Sequence, residues 1–209
     1  MKRERKNVVF LLLLLKMCIV FSQATTNKKV IIIDPGHGGK DTGAIGINDI
    51  QEKKVVLNIA KEILKLNKTI LNDRFDINLT RYTDTLISLS DRTRLAKELN
   101  ADIFISLHCN ASKISSTGVE IYTHNTNSSL IKESIALGLS ILNESTENLG
   151  FKKRGVKFAN FQVLRETKIV CPTILIELGF MTNIDEAYYF LSKKNIKAMA
   201  LAILLGTTI

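Results

Sequence analysis

Val30-Ile31-Ile32-Ile33, followed at once by Asp34-Pro35-Gly36, is the stretch on which the fold turns. Four consecutive β-branched apolar residues have no polar face to show to water, so they read as a strand covered on both sides, as in a parallel sheet. The Gly-rich stretch that follows has glycines at 36, 38, 39, 43 and 46. It lacks the ending of a phosphate loop and the spacing of a dinucleotide fingerprint, which argues against nucleotide binding. Residues 51–71 then place Val55, Val56, Ile59, Ala60, Ile63, Leu66, Ile70 and Leu71 on one side of a helix. Strands at Phe75–Thr80 and Ile103–His108 flank a helix at Leu89–Leu99, and Gly118–Thr123 alternates like a half-exposed strand nearer the sheet edge. A helix over Ser129–Asn143 leads to a polar loop with Lys152, Lys153 and Arg154. Phe161–Leu164 and Thr173–Glu177 read as short strands, and helices near 184–192 and 193–205 close the chain. The alternation predicts a single α/β domain, a largely parallel twisted sheet of about six strands with helices on both faces.

The chain has 209 residues, 45% of them hydrophobic and 23% charged, so it can bury enough surface to offset its ordering entropy. Its 29 Lys+Arg against 20 Asp+Glu give a net charge of +9, a value that suits nucleic acid or a membrane surface. Much of the excess lies at the start. Lys2, Arg3, Arg5 and Lys6 precede an apolar run broken by Lys16, and Ser22-Gln23-Ala24 puts small residues before a cut after Ala24. Residues 1–24 therefore read as a secretory signal peptide, because the run is short for a membrane span. Its removal takes five bases and one acid, leaving residues 25–209 with 24 bases against 19 acids and a net of +5. No basic stripe or aromatic platform for nucleic acid remains. The expected destination is the periplasm, cell envelope or medium, with no membrane span left after cleavage. Cys109 and Cys171 then permit one disulfide at most.

Parallel sheets place ligand sites at the carboxyl ends of their strands. His37 lies four residues past the Val30–Ile33 run, His108 ends Ile103–Leu107, and Glu177 ends Thr173–Ile176. Glu52 opens the first helix, and helical spacing to Val56 and Ile59 sets it on the sheet-facing stripe. Two histidines and a carboxylate with an open fourth position make a catalytic zinc site. A second carboxylate nearby can then take a proton from water that the metal has acidified, which leads to amide or ester hydrolysis. Each residue also has a plainer reading. Glu52 fits a capping box with Asp49, and a strand-end histidine is often only a core or loop residue. Glu177, between Ile176 and Leu178, resists that reading, since a lone carboxylate on an apolar strand costs on the order of several kcal/mol. His124, at another strand end, faces a polar loop and reads as surface or substrate rim.

At these residues the sequence resembles the zinc-dependent N-acetylmuramoyl-L-alanine amidases, the amidase-3 family of cell-wall hydrolases. The resemblance rests on five stretches in order. They are Ile33-Asp34-Pro35-Gly36-His37-Gly38-Gly39; Gly43-Ala44 leading to Glu52-Lys53; Thr80-Arg81 with Asp84, Leu89 and Arg92; Ser106-Leu107-His108-Cys109-Asn110; and Pro172 through Asn183. It implies one Zn2+ held by His37, Glu52 and His108, with Glu177 as the catalytic glutamate and peptidoglycan as substrate, cut between the muramic acid lactyl group and L-alanine. The mechanism it suggests uses Glu177 as base and then acid, with the developing oxyanion stabilised by zinc and by a donor such as Asn110. Cys109 stands where the family often has a small residue, and strand alternation turns its thiol away from His108, so it reads as packing.

Some periplasmic members carry a long autoinhibitory insertion. Here about 37 residues separate His124 from Phe161, enough for one helix and a loop, so the site is expected to be open without an activator. The chain is expected to act as a monomer. Lys152-Lys153-Arg154 reads as a solvated loop able to steer toward anionic wall polymers. Two rival readings remain at this point: a zinc hydrolase for other amides, and a wall-binding protein on an inactive amidase fold.

Overall fold

The computed structural model describes residues 28–112, 116–125 and 129–208. The expected signal peptide at 1–24 lies outside them. The strands are β1 (Val30–Pro35), β2 (Asp76–Leu79), β3 (Ile103–Asn110), β4 (Val119–Thr123), β5 (Lys153–Phe158) and β6 (Thr173–Phe180). They form one sheet in the order β2-β1-β3-β6-β4-β5. The first four of that order run parallel, while β4 is antiparallel to β6 and carries β5 parallel to itself.

Strand alternation explains how the two faces differ. On β3, Ile103, Ile105, Leu107 and Cys109 enter one core, whereas Phe104 enters the other. The first core is closed by helices α1 (Glu52–Thr69), α3 (Leu130–Glu147) and α6 (Lys193–Gly206), which bury Ile59, Ile63, Ile141 and Ile203 against it. The second lies under α2 (Leu89–Glu98) and α4 (Gln162–Thr167), where Ala96, Val163 and Leu164 meet Ile32, Phe104 and Leu175. Past those three residues the second face turns polar. Asp34 lies beside Ser106, Ser106 beside Leu175, His108 beside Glu177, and Glu177 beside Glu120. The helices cover the apolar half of this face, and the polar half forms the floor of a cleft. Ser88 opens α2 by accepting from the Asp91 N–H, and Asn183 opens α5 (Ile184–Leu191) by accepting from two amides.

Three local expectations are corrected. Phe161–Leu164 is no strand: Phe161 precedes helix α4, whose Val163, Leu164 and Thr167 are buried on one side. Four residues, three of them apolar, are too few to separate a period of 2 from one of 3.6. The polar loop expected at 152–154 gives way at Lys153 to β5, an edge strand whose lysines and arginine discourage pairing with another chain. β4 is not half-exposed, since every residue but Tyr122 is buried. The disulfide allowed by composition does not form, because Cys109 and Cys171 are free and buried in opposite cores. Among the described residues no helix is long and apolar enough to cross a membrane.

Phe104 is fully buried in the smaller core, where removing its ring leaves a cavity that two short helices cannot refill. Phe104→Ala is expected to lose about 3–5 kcal/mol in urea unfolding, against about 0.5 kcal/mol or less for Leu139→Ala on the exposed face of α3.

Candidate metal centre

The loop leaving β1 is shaped by two buried cations. Arg92 donates to Asp34 Oδ1 at 2.6 Å, to the Pro35 carbonyl at 2.8 Å and to the His37 carbonyl at 2.8 Å. Arg81 donates to the carbonyls of Pro35 and Gly36 at 3.0 and 2.8 Å, and from the same group to the Lys53 carbonyl of α1. Between them they gather three successive carbonyls and hold His37 at φ +59°, a left-handed conformation uncommon for a side-chain-bearing residue. Asp34 is completed by Thr80 and Ser106 hydroxyls at 2.6 and 2.8 Å, so its burial is paired on every side.

Two glycines make room for the rings. A Cβ at Gly36 would lie 2.3 to 2.8 Å from three atoms of the His108 imidazole. A Cβ at Gly43 would lie 2.4 Å from Glu52 Oε2 and 2.6 Å from His37 Cδ2. Bare backbone therefore forms part of the cradle.

His37, Glu52 and His108 converge, with one ligand atom from each lying within 4.8 Å of the others. Glu52 Oε1 stands 3.0 Å from His37 Nε2 and 3.0 Å from His108 Nδ1, and accepts from the Cys109 N–H at 2.9 Å. Its Oε2 accepts from the Ala44 N–H at 2.8 Å. Burial works to raise the Glu52 carboxyl, but the hydrogen bonds from His108 and His37 prevail and hold it down at about 2. The capping-box reading is not realised, because neither oxygen turns back to the start of its own helix. Two imidazoles and an ionised carboxylate are a donor set that suits zinc. His37 Nδ1 sits 2.9 Å from Asp41 Oδ2, the outer carboxylate contact that commonly fixes the orientation of a ligating histidine. On these observations the residues fit a single metal ion.

Glu177 lies beside His108 in the sheet, and its Oε2 is buried with no hydrogen-bond partner. Burial first, and then the charges of Glu52 and Glu120, push its carboxyl up to about 7 against the opposing pull of His108 and His37. A cleft of about 740 Å³ opens over these groups, lined by His37, His108 and Glu177 on one side and by α2, Phe161 and Gln162 on the other.

The four residues singled out at strand and helix ends are thus brought together. The Asn110 amide donates one N–H to Glu120 Oε1 at 2.8 Å, and its oxygen accepts from the Ala111 N–H. Cys109 points into the core opposite His108, as strand alternation requires. His124 sits at the far end of β4, away from the cluster. Asp41 was not foreseen, although its place four residues after His37 was readable. The sheet-lining role of Arg81 and Arg92 was equally hidden, since both lie far along the chain from the carbonyls they hold.

A family model described as N-acetylmuramoyl-L-alanine amidase matches residues 31–208. The chain is 41% identical over 165 residues to N-acetylmuramoyl-L-alanine amidase LytC of Bacillus subtilis (strain 168), covering 76% of this chain and 31% of that protein. It is 36% identical over 173 residues to the sporulation-specific N-acetylmuramoyl-L-alanine amidase of the same organism, covering 81% and 63%. The chain thus spans less than two thirds of the length of these relatives. Its fold is similar to the catalytic domain of the N-acetylmuramoyl-L-alanine amidase CwlV from Bacillus (Paenibacillus) polymyxa var. colistinus. There the TM-score is 0.77 and the identity 34%, over 86% of this chain and 96% of that one.

Two measurements bear on this geometry. Gly36→Ala, which leaves φ unstrained but collides with the His108 ring, is expected to weaken zinc binding at least tenfold by competition with a chelating dye. For Glu177 the folded value lies above the ordinary carboxylate range, so its contribution is favourable below about pH 4.5 and is lost as pH rises through 7. With metal chelated, Glu177→Gln should therefore melt higher than the parent at pH 8, the difference shrinking to nothing near pH 4.

Proposed function

The chain belongs to the N-acetylmuramoyl-L-alanine amidase family, and we propose that it hydrolyses the amide joining the muramic acid lactyl group to L-alanine in peptidoglycan. On this reading it acts after export, in wall remodelling or daughter-cell separation. The observation that supports it best is the meeting of His37, Glu52 and His108 beside a buried carboxyl oxygen with no partner, in one open cleft.

His37, Glu52 and His108 would hold one Zn2+. When bound, that ion supplies a Lewis acid that polarises a carbonyl oxygen and lowers the pKa of water. The remaining work falls to the chain. Asp41 keeps His37 from turning, and the backbone amides of Ala44 and Cys109 do the same for Glu52. The cleft wall formed by α2, Phe161 and Gln162 positions the substrate amide across the floor of the site. Glu177 takes the proton of the attacking water at Oε2 and returns it to the alanine nitrogen as the C–N bond breaks. A carboxyl poised at about 7 is suited to both halves of that transfer, because neither donation nor acceptance is far uphill at neutral pH. The Asn110 amide gives one of its two N–H groups to Glu120, and the other is the candidate donor to the developing oxyanion.

The test is digestion of purified sacculi followed by mass spectrometry. Stem peptides beginning with L-alanine are expected, and a chelator should stop their release. Glu177→Gln is expected to lower turnover by about 10²–10⁴-fold while retaining one zinc per chain. Products cut at any other bond, or a Glu177→Gln protein of undiminished rate, would sink the proposal.

A further inference from the structure

The basic cluster that the sequence offers for anionic polymers is largely spent inside the protein. Arg154 and Lys157 both donate to the buried Glu120 carboxylate, at 2.8 and 2.5 Å, and Lys153 donates to Asn143. Two other cations and a histidine gather at the far end of β4. His124 there meets α4 and the segment after β5 around a depression of about 550 Å³. Arg165 and Lys168 line it three residues apart, on one side of the last turn of α4. None of the residues lining it is acidic, and among the described residues neither Arg165 nor Lys168 makes an ion pair.

The contacts within the set are few and shared, and all are to neutral partners. Lys168 Nζ stands 3.3 Å from His124 Nδ1, yet that same nitrogen lies 2.6 Å from the Asn125 carbonyl and can serve only one of them. Asn160 Oδ1 is shared between Arg165, at 3.0 Å, and His124 Nε2, at 3.2 Å. Cations at a helix C-terminus do favour its carbonyls, but that accounts for Arg165 and Lys168 alone and not for a histidine brought up from another element. The exposed Phe158 ring forms an apolar wall to the same depression.

We propose that His124, Arg165 and Lys168 form a phosphate-binding subsite for a phosphodiester-linked wall polymer. Donors converging from two elements suit a tetrahedral anion, and an arginine fork with a lysine is a common phosphate grip. The segment from Phe158 to Gln162 lines this depression at one end and the catalytic cleft at the other, so a polymer held here lies one short loop from the cleft. The polymer as the source of the phosphate rests on the amidase reading; the anion site itself does not.

The full chain is titrated calorimetrically with poly(glycerol phosphate), with inorganic phosphate and with poly-L-glutamate as separate arms. Saturable polymer binding is expected, with phosphate competing and polyglutamate at least tenfold weaker. Arg165→Glu combined with Lys168→Glu should weaken polymer binding at least tenfold while digestion of polymer-free peptidoglycan is unchanged. The milder Lys168→Gln, at the half-buried C-cap of α4, should give a partial loss. Undiminished binding by the double variant, equal binding of polyglutamate, or binding of phosphate without the polymer would each overturn the proposal. Failure of the amidase reading shows separately, as no release of L-alanine-headed peptides from polymer-free peptidoglycan with polymer binding intact.

Discussion

A carboxylate that is 3% exposed must be surrounded by donors, and Glu52 finds its donors on both sides of a join. It sits on the first residue of α1, yet its oxygens are held by the Ala44 amide on the preceding loop and the Cys109 amide at the end of β3. Two imidazoles complete the set. The helix, the Gly-rich loop and the central strand are thus fastened at a single group. Because α1 also packs along the larger core, the position of the cluster is inherited from the packing of the whole face. A loop-borne ligand would have no such reference.

The opposite wall depends on arginines rather than carboxylates. Arg81 and Arg92 do for the β1 exit what a further strand would do, supplying donors to carbonyls that have left the sheet ladder. This is why His37 can stay at positive φ: the strain is local and the hydrogen bonds that hold it are buried. Glu120 plays the matching part on the far side of Glu177, as a buried acid carried by Arg154, Lys157, Tyr122 and Asn110.

What could be read from the chain follows from how local each signal is. Val30–Ile33 and Ile103–Leu107 announced the central strands because runs so rich in β-branched and apolar residues, the second broken only by Ser106, need no partner to be recognised. His37, Glu52, His108 and Glu177 were legible because apolar strand runs and a helix start mark their places in the sequence. The four-residue run at 161–164 was too short to carry a period, and helix α4 was misread as a strand. Burial of Glu120 was invisible because its cations stand 34 and 37 residues away, on a strand that its own composition disguised as a loop. The bond from the Asn110 amide to Glu120 was not legible, because nothing in the sequence marks Glu120 as buried beside it.

The reversed pair β4 and β5 has an effect on how such a chain can grow. Reversal brings the start of β4, not its end, to the cleft side of the sheet, with Glu120 next to Glu177. The β3–β4 connection therefore departs from and returns to the rim of the cleft, and so does the approach to β5 from α3. Extra residues inserted in either would arch over the substrate as a roof, whereas the same residues added after β4 would hang from the opposite end and leave access unchanged. Loop length at two addresses, with no alteration to His37, Glu52 or His108, is enough to change access to a cleft of this architecture.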